Sequence, residues 1–249
     1  MTKISGLGEN FYIGGYNVSG DVGSVTRCAC PMTPLDVTAI NKSAFERIGG
    51  QRDGALDFET WFNDAASQEH AALKGLPTTD RIVTWTMSTS IGSIATSMIA
   101  KQLNYDMTRE QNGSLHFGVS TQANGYAMEW GSLLTAGVRT DTGATNGSAL
   151  DGAAGTNFGL QAYLHVFSFT GTDATIKIQE SSDNGADAYA DVTGGGFTQV
   201  TAAPYSQRIA TATNLAVERY LRVATVTTGG FTSMGFAVMV VRNSAAPVY

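Results

Sequence analysis

Charge is scarce in this chain. Asp, Glu, Lys and Arg make up 14% of the 249 residues, against a usual share of about 25%. What charge there is leans acidic, with 21 Asp and Glu against 15 Lys and Arg and a formal net charge of −6. No stretch gathers the bases into a basic patch, which argues against tight binding to a phosphate backbone. The same balance suits a protein that lets nucleic acid pass, and it is equally ordinary for a soluble domain. Proline (5) and cysteine (2) are rarer still. Cys28 and Cys30 stand in Cys-Ala-Cys, a spacing that holds their Cα atoms near the upper limit for a disulfide. With no second Cys/His pair to complete a zinc set, they read as ordinary small residues of a chain made in a reducing compartment. The longest strongly apolar stretch, Gly235 to Val241, falls far short of the ~20 residues that cross a bilayer. Met1 to Gly8 lacks a charged-then-apolar leader, so no secretory signal is expected.

Recognisable chemistry is also missing. There is no GxSxG, P-loop or GxGxxG. His70, His116 and His165 lie far apart, none at ligand spacing from a Cys or another His, and each reads as a structural residue. The run Ser181-Ser182-Asp183-Asn184-Gly185-Ala186-Asp187 departs from EF-hand spacing and reads as an Asx-rich hairpin turn rather than a calcium loop. No catalytic residue, metal or cofactor is assigned, and an enzyme is not expected.

What the chain does have is glycine (29) and threonine (30), with a 43% hydrophobic share. That composition favours strands and turns over helices and excludes disorder by low hydrophobicity, so a mostly β fold is expected. In the first half, Ala55 to Phe62, Arg81 to Thr89, Leu115 to Ser120 and Tyr126 to Val138 carry strand patterns. Trp61, Trp85 and Trp130 sit within them, which predicts core or interface use. One short helix is predicted over Ala65 to Leu76, with Asp64 or Ser67 as its cap, Gly75 at its end and Pro77 as its stop. The segment from Arg27 to Gly54 holds Pro31, Pro34, Gly49 and Gly50 and is too long for a plain hairpin; long ordered loops usually serve contact. Its Glu46, Arg47, Arg52 and Asp53 are the candidate subunit contacts.

Residues 140–157 carry one apolar side chain larger than Ala and predict a flexible linker. The expected organisation is therefore a domain over 1–139, a linker over 140–157 and an accessory domain over 158–249. In the latter, Leu160 to Phe169, Ala174 to Gln179, Val217 to Val226 and Phe231 to Val241 alternate as strands, with Gly194-Gly195-Gly196 read as a turn. This is the arithmetic of a β-sandwich.

The first half resembles the major tail (tail tube) proteins of long-tailed bacteriophages. The likeness covers roughly residues 10–138. It rests on Leu35-Asp36-Val37-Thr38, on Glu46-Arg47-Ile48-Gly49-Gly50-Gln51-Arg52-Asp53-Gly54, and on Leu56 to Asp64 leading into His70-Ala71-Ala72-Leu73. The sequence departs from that pattern at Gly50-Gln51-Arg52, where a Leu often stands. The resemblance implies a β-sandwich or partly closed barrel with one helix. Six subunits would join their sheets into a ring around a pore, and rings would stack through the long loop and the termini. The expected role is a structural virion protein of the tail tube, assembled in the host cytoplasm, contacting other tail proteins and passing DNA without holding it. The second half resembles accessory β-sandwiches of galactose-binding-like or Ig-like type, through Glu218-Arg219-Tyr220-Leu221-Arg222-Val223. That motif is largely structural in its family, and glycan contact stays open. A capsid decoration or tail-tip protein and a carbohydrate-binding module stand as alternatives.

Overall fold

The computed structural model describes residues 5–76 and 78–246. The first part of the chain runs β1 (Asn10–Ile13), β2 (Tyr16–Asn17), β3 (Val22–Ala29), β4 (Met32–Asp36), β5 (Arg47–Arg52), β6 (Ala55–Trp61), α1 (Glu69–Leu73), β7 (Arg81–Thr86), β8 (Ile94–Gln102), β9 (Asp106–Arg109), β10 (Leu115–Val119), β11 (Thr121–Ala123) and β12 (Glu129–Leu133). The second part adds β13 (Arg139–Asp141), β14 (Leu150–Asp151), β15 (Leu160–Gly171), β16 (Thr175–Ser181), β17 (Ala190–Gly196), β18 (Tyr205–Ala210), β19 (Tyr220–Val226) and β20 (Phe231–Arg242). The fold is mostly β with one short helix among the described residues, as the composition predicts.

Two hydrophobic cores organise these strands. One lies in the first part, around Phe11, Leu56, Phe58, Leu73, Val83 and Met98. The other fills a β-sandwich in which β18-β15-β20 packs on the separate sheet β14-β19-β16-β17. Leu164 and Val238 from the first of these sheets meet Ile178 and Val223 from the second. The alternation that predicts these strands is the one that fills this core, since every second residue points inward.

The two parts share one sheet. Strand β12 pairs with β8 on one side and with β20 on the other, so a 14-stranded sheet runs through both. The outward face of the sandwich is buried as well: Tyr163 and Met239 pack on Ile82 and Ala95. His165 lies wholly inside this joint. The Gly15 N–H donates to its Nδ1 at 3.3 Å, so the imidazole proton sits on Nε2, which donates to the Thr84 hydroxyl at 2.8 Å. Thr84 in turn meets Ser97 at 2.6 Å.

Residues 140–157 are not a free connector. The N–H groups of Thr145, Gly147, Gly152 and Thr156 donate to carbonyls of Thr225, Val223, Arg219 and Val217, laying the segment along β19. Arg139 clamps its start through Asp141 at 2.7 Å and the Val223 carbonyl at 2.9 Å. A polar, small-residue composition cannot build a core, yet its backbone can still complete a sheet edge, which is why composition alone predicts mobility here.

Other differences are local. The helix covers only Glu69–Leu73, and its N-cap is Gln68 without a side-chain bond rather than Asp64 or Ser67. Ser67 has φ 64°, which bars the helix from starting earlier. The predicted stop at Pro77 lies outside the described residues. Glu69 is buried because Thr60, the Asn63 N–H and Tyr105 all donate to its carboxylate. Gly194 to Gly196 belong to β17 rather than to a turn. The pattern over Tyr126 to Val138 is strand only over β12. Trp61 and Trp130 are about half exposed on outward strand faces, so of the core or interface use expected of them the core half does not hold.

Candidate assembly surface

Within the segment from Arg27 to Gly54, whose first three residues end β3, residues 30–53 form a β-hairpin arm. β4 and β5 pair with each other and form a two-stranded sheet of their own. At the base, the Asp53 N–H donates to the Pro31 carbonyl at 2.9 Å, and Gln122 donates to the Asp53 carboxylate at 2.6 Å. At the far end, Asp36 accepts from the Thr38 N–H at 2.9 Å and from its hydroxyl at 2.5 Å. Those bonds hold the Asp36 carboxyl below the usual carboxylate range. The Thr38 hydroxyl oxygen then accepts from the Glu46 N–H at 2.9 Å. The Asp36-Val37-Thr38 motif is thus the clasp that closes the tip. Glycine is required at Gly50, where a Cβ would lie 2.7 Å from the Thr33 carbonyl of the facing strand; a Cβ at Gly49 would meet only the movable Met32 side chain. Pro34 is tolerated because the strand is an edge.

The surface of this arm is apolar to an unusual degree. Met32, Leu35, Val37, Ile40, Phe45 and Ile48 are all exposed, Ile40 fully and Phe45 to 68%. A two-stranded hairpin is marginally stable by itself in water, and contiguous exposed apolar side chains mark contact surfaces. The four predicted contact residues do not form one cluster. Glu46 and Arg47 sit at the tip end of β5, Glu46 paired with Lys42 at 2.9 Å and Arg47 over the Phe45 ring at 4.6 Å. Arg52 and Asp53 sit at the base, roughly 17 Å away along a six-residue strand. The sequence reading missed the apolar side chains. The signal for them was the strand-like Leu35 to Ile40 within a segment otherwise read as a charged loop.

On the sandwich, the Arg219-Tyr220-Leu221-Arg222 stretch is β19 with its flank. Leu221 is in the core, Arg219 forms a two-pronged bond to Asp151 at 2.7 and 2.6 Å, and Arg222 donates twice to Gln179. These side chains tie strands together. In the 181–187 loop, Asp183 accepts from the N–H groups of Gly185 and Asp187, the Asx-type arrangement predicted for the β16–β17 hairpin.

No family model and no curated protein matches the sequence. Similar solved structures include the tail of an empty GTA particle in C6 symmetry, at 16% identity over 43% of this chain and 80% of that one, TM-score 0.36. The SPP1 Dit protein, described as a hub of the adsorption apparatus in phages infecting Gram-positive bacteria, aligns over 94% of this chain and 99% of its own at 10% identity, TM-score 0.35. A phage p2 baseplate chain aligns over 96% and 99% at 8% identity, TM-score 0.36. At these values the likeness assigns neither family nor role to this chain.

Proposed function

We propose that this chain is a structural subunit of a long-tailed bacteriophage tail, forming hexameric rings that stack into the tube through which DNA is ejected. The observation that carries the reading is the arm: a two-stranded hairpin, tied at base and tip, presenting six apolar side chains to solvent. Such a surface is completed by another subunit. The sequence resemblance of residues 10–138 supplies the identity of that subunit, a further copy in the same tube. In this reading the arm reaches between copies, the sandwich is carried outside as a fixed appendage, and no reaction is catalysed. Other tail proteins meet the ends of the stack.

Sedimentation of the purified chain tests this. Species at multiples of the 26.1 kDa subunit that fall back to single rings or monomer in an Ile40→Asp/Phe45→Asp variant are expected. A wild-type chain that stays monomeric at every concentration would remove the reading. Single rings that never elongate would move the subunit from the tube to a tail end.

A further inference from the structure

We propose that Cys28, Cys30 and Met128 form a three-sulfur site for one soft monovalent cation of the Cu(I) class at the root of the arm. The inference concerns the single subunit and does not depend on the ring reading above.

The fold brings together sulfur atoms that the sequence keeps apart. Cys28 and Met128 are separated by 100 positions, so the Cys-Ala-Cys pair read by itself lacks its third donor. On β3, Cys28 stands opposite Leu56 of β6 and shares the face that Leu56 turns into the first core. Cys30 follows two residues later and returns to the same side, and both cysteines pack against that core. Met128, the residue before β12, is buried in the same core. The Cys28 thiol donates to the Met128 thioether with the two sulfurs 3.8 Å apart. Gly54 keeps this corner tight: a Cβ there would lie 2.9 Å from the Met128 Cβ and 3.1 Å from the Ala123 Cβ. A side chain at position 54 would drive Met128 off the thiol.

The spacing suits a shared ion. Metal–sulfur bonds of about 2.3 Å, set at trigonal or tetrahedral angles, place neighbouring sulfurs about 3.8–4.0 Å apart. The Cys28–Met128 pair therefore already has the span of a chelate. Its donors select the ion, because thiolate and thioether are soft ligands that favour Cu(I). Zinc wants four ligands, and among the described residues no His, Asp or Glu joins the two cysteines in a group that could hold a metal. Both cysteines are only half-buried, which leaves the ion a way in. Burial, and then the neighbouring Cys30, raise the Cys28 thiol above its ordinary pKa. Binding thus exchanges two thiol protons for one cation, without any change of oxidation state, and weakens as pH falls. The site also has a mechanical consequence. Cys30 precedes Pro31, whose carbonyl accepts the Asp53 N–H at 2.9 Å where the two sides of the arm meet. An ion held by these sulfurs fastens the root of the arm to the start of β12.

The test titrates the full chain with Cu(I) under reducing, oxygen-free conditions against the chelator bathocuproine disulfonate. X-ray absorption then counts the sulfur neighbours of the bound ion. Met128→Leu is the diagnostic variant, because it nearly conserves volume and leaves both thiols in place. One equivalent of Cu(I) with three sulfur neighbours is expected in the wild type. Affinity should fall roughly tenfold or more in Met128→Leu, with its melting temperature in the absence of copper little changed, and further in Cys28→Ser and Cys30→Ser. A wild type that yields all its copper to the chelator overturns the site. Equal affinity in Met128→Leu overturns the thioether ligand, and with it the three-sulfur assignment. Undiminished binding by the Cys28→Ser/Cys30→Ser double variant places the ion elsewhere on the chain and overturns the proposal as a whole.

Discussion

His165 on β15 and Thr84 on β7 are joined at 2.8 Å across the joint between the two halves of the molecule, with no solvent exposure at the imidazole to speak of. The bond makes the sandwich a fixed extension of the first sheet. It also builds in a pH dependence, because burial pushes the His165 pKa down to about 3. The folded protein holds the ring neutral while the unfolded chain takes up a proton below about pH 6.5. The folded pKa is the lower one, so stability is full above pH 6.5 and is lost as pH falls toward 3. The slope is about 1.4 kcal/mol per pH unit within that window. Urea unfolding at pH 7 and pH 5 should differ by about 2 kcal/mol in the wild type. In His165→Gln, which cannot titrate, the difference should largely vanish, though the variant starts from lower stability.

A second tie crosses the same joint. Arg208 donates to Glu129 at 3.1 Å and to the Tyr163 hydroxyl at 3.0 Å, and the guanidinium is only 5% exposed. Burial and the neighbouring Glu129 carboxylate push the Tyr163 hydroxyl well above its ordinary pKa. Glu129→Ala leaves a buried cation without its carboxylate, a loss of about 3–5 kcal/mol. Thermal unfolding of Glu129→Ala beside Glu129→Gln should show the larger drop in the alanine variant, since glutamine keeps an acceptor for the guanidinium.

Limited proteolysis should begin in the arm. Lys42 and Arg47 sit at its exposed tip end, whereas Arg139, at the head of the 140–157 segment, is bound to Asp141, Thr145 and Val223. Trypsin is therefore expected to cut at 42 or 47 before it cuts at 139, as mass spectrometry of early fragments would show. First cleavage at 139, releasing a folded fragment of about 100 residues, would restore the flexible linker and two freely jointed domains.

Within the arm, Arg47→Ala and Arg52→Ala should weaken assembly while leaving circular dichroism and melting temperature unchanged. Neither guanidinium has an ion-pair partner among the described residues, so its removal costs the monomer little. Loss of a buried partner across an interface costs about 2–5 kcal/mol. Sedimentation and circular dichroism on the same samples separate the two effects.

Much of the sandwich was legible because Leu160 to Phe169 and Phe231 to Val241 are long runs rich in apolar and aromatic residues, which mark strands even where both faces are buried. Strand β8 lacks that bulk. Ile94 to Gln102 is buried on both faces over most of its length, so its small and polar residues show no clean period. Glycine misled once: Gly194 to Gly196 lie in a strand, yet read locally as a turn. The arm was found by its length and misjudged in kind: Glu46 and Arg52 drew attention to charge, while Ile40 and Phe45 supply the exposed surface. No local pattern distinguishes an apolar residue that stays exposed from one that enters the chain's own core.

Negative-stain electron microscopy of the purified wild type beside a variant with residues 37–46 replaced by a two-residue Asn-Gly turn decides whether the arm builds the tube. Rings and stacked tubes are expected from the wild type and only isolated subunits or single rings from the short-armed variant, with both melting at similar temperatures. Tubes of equal length from both proteins would contradict this role for the arm.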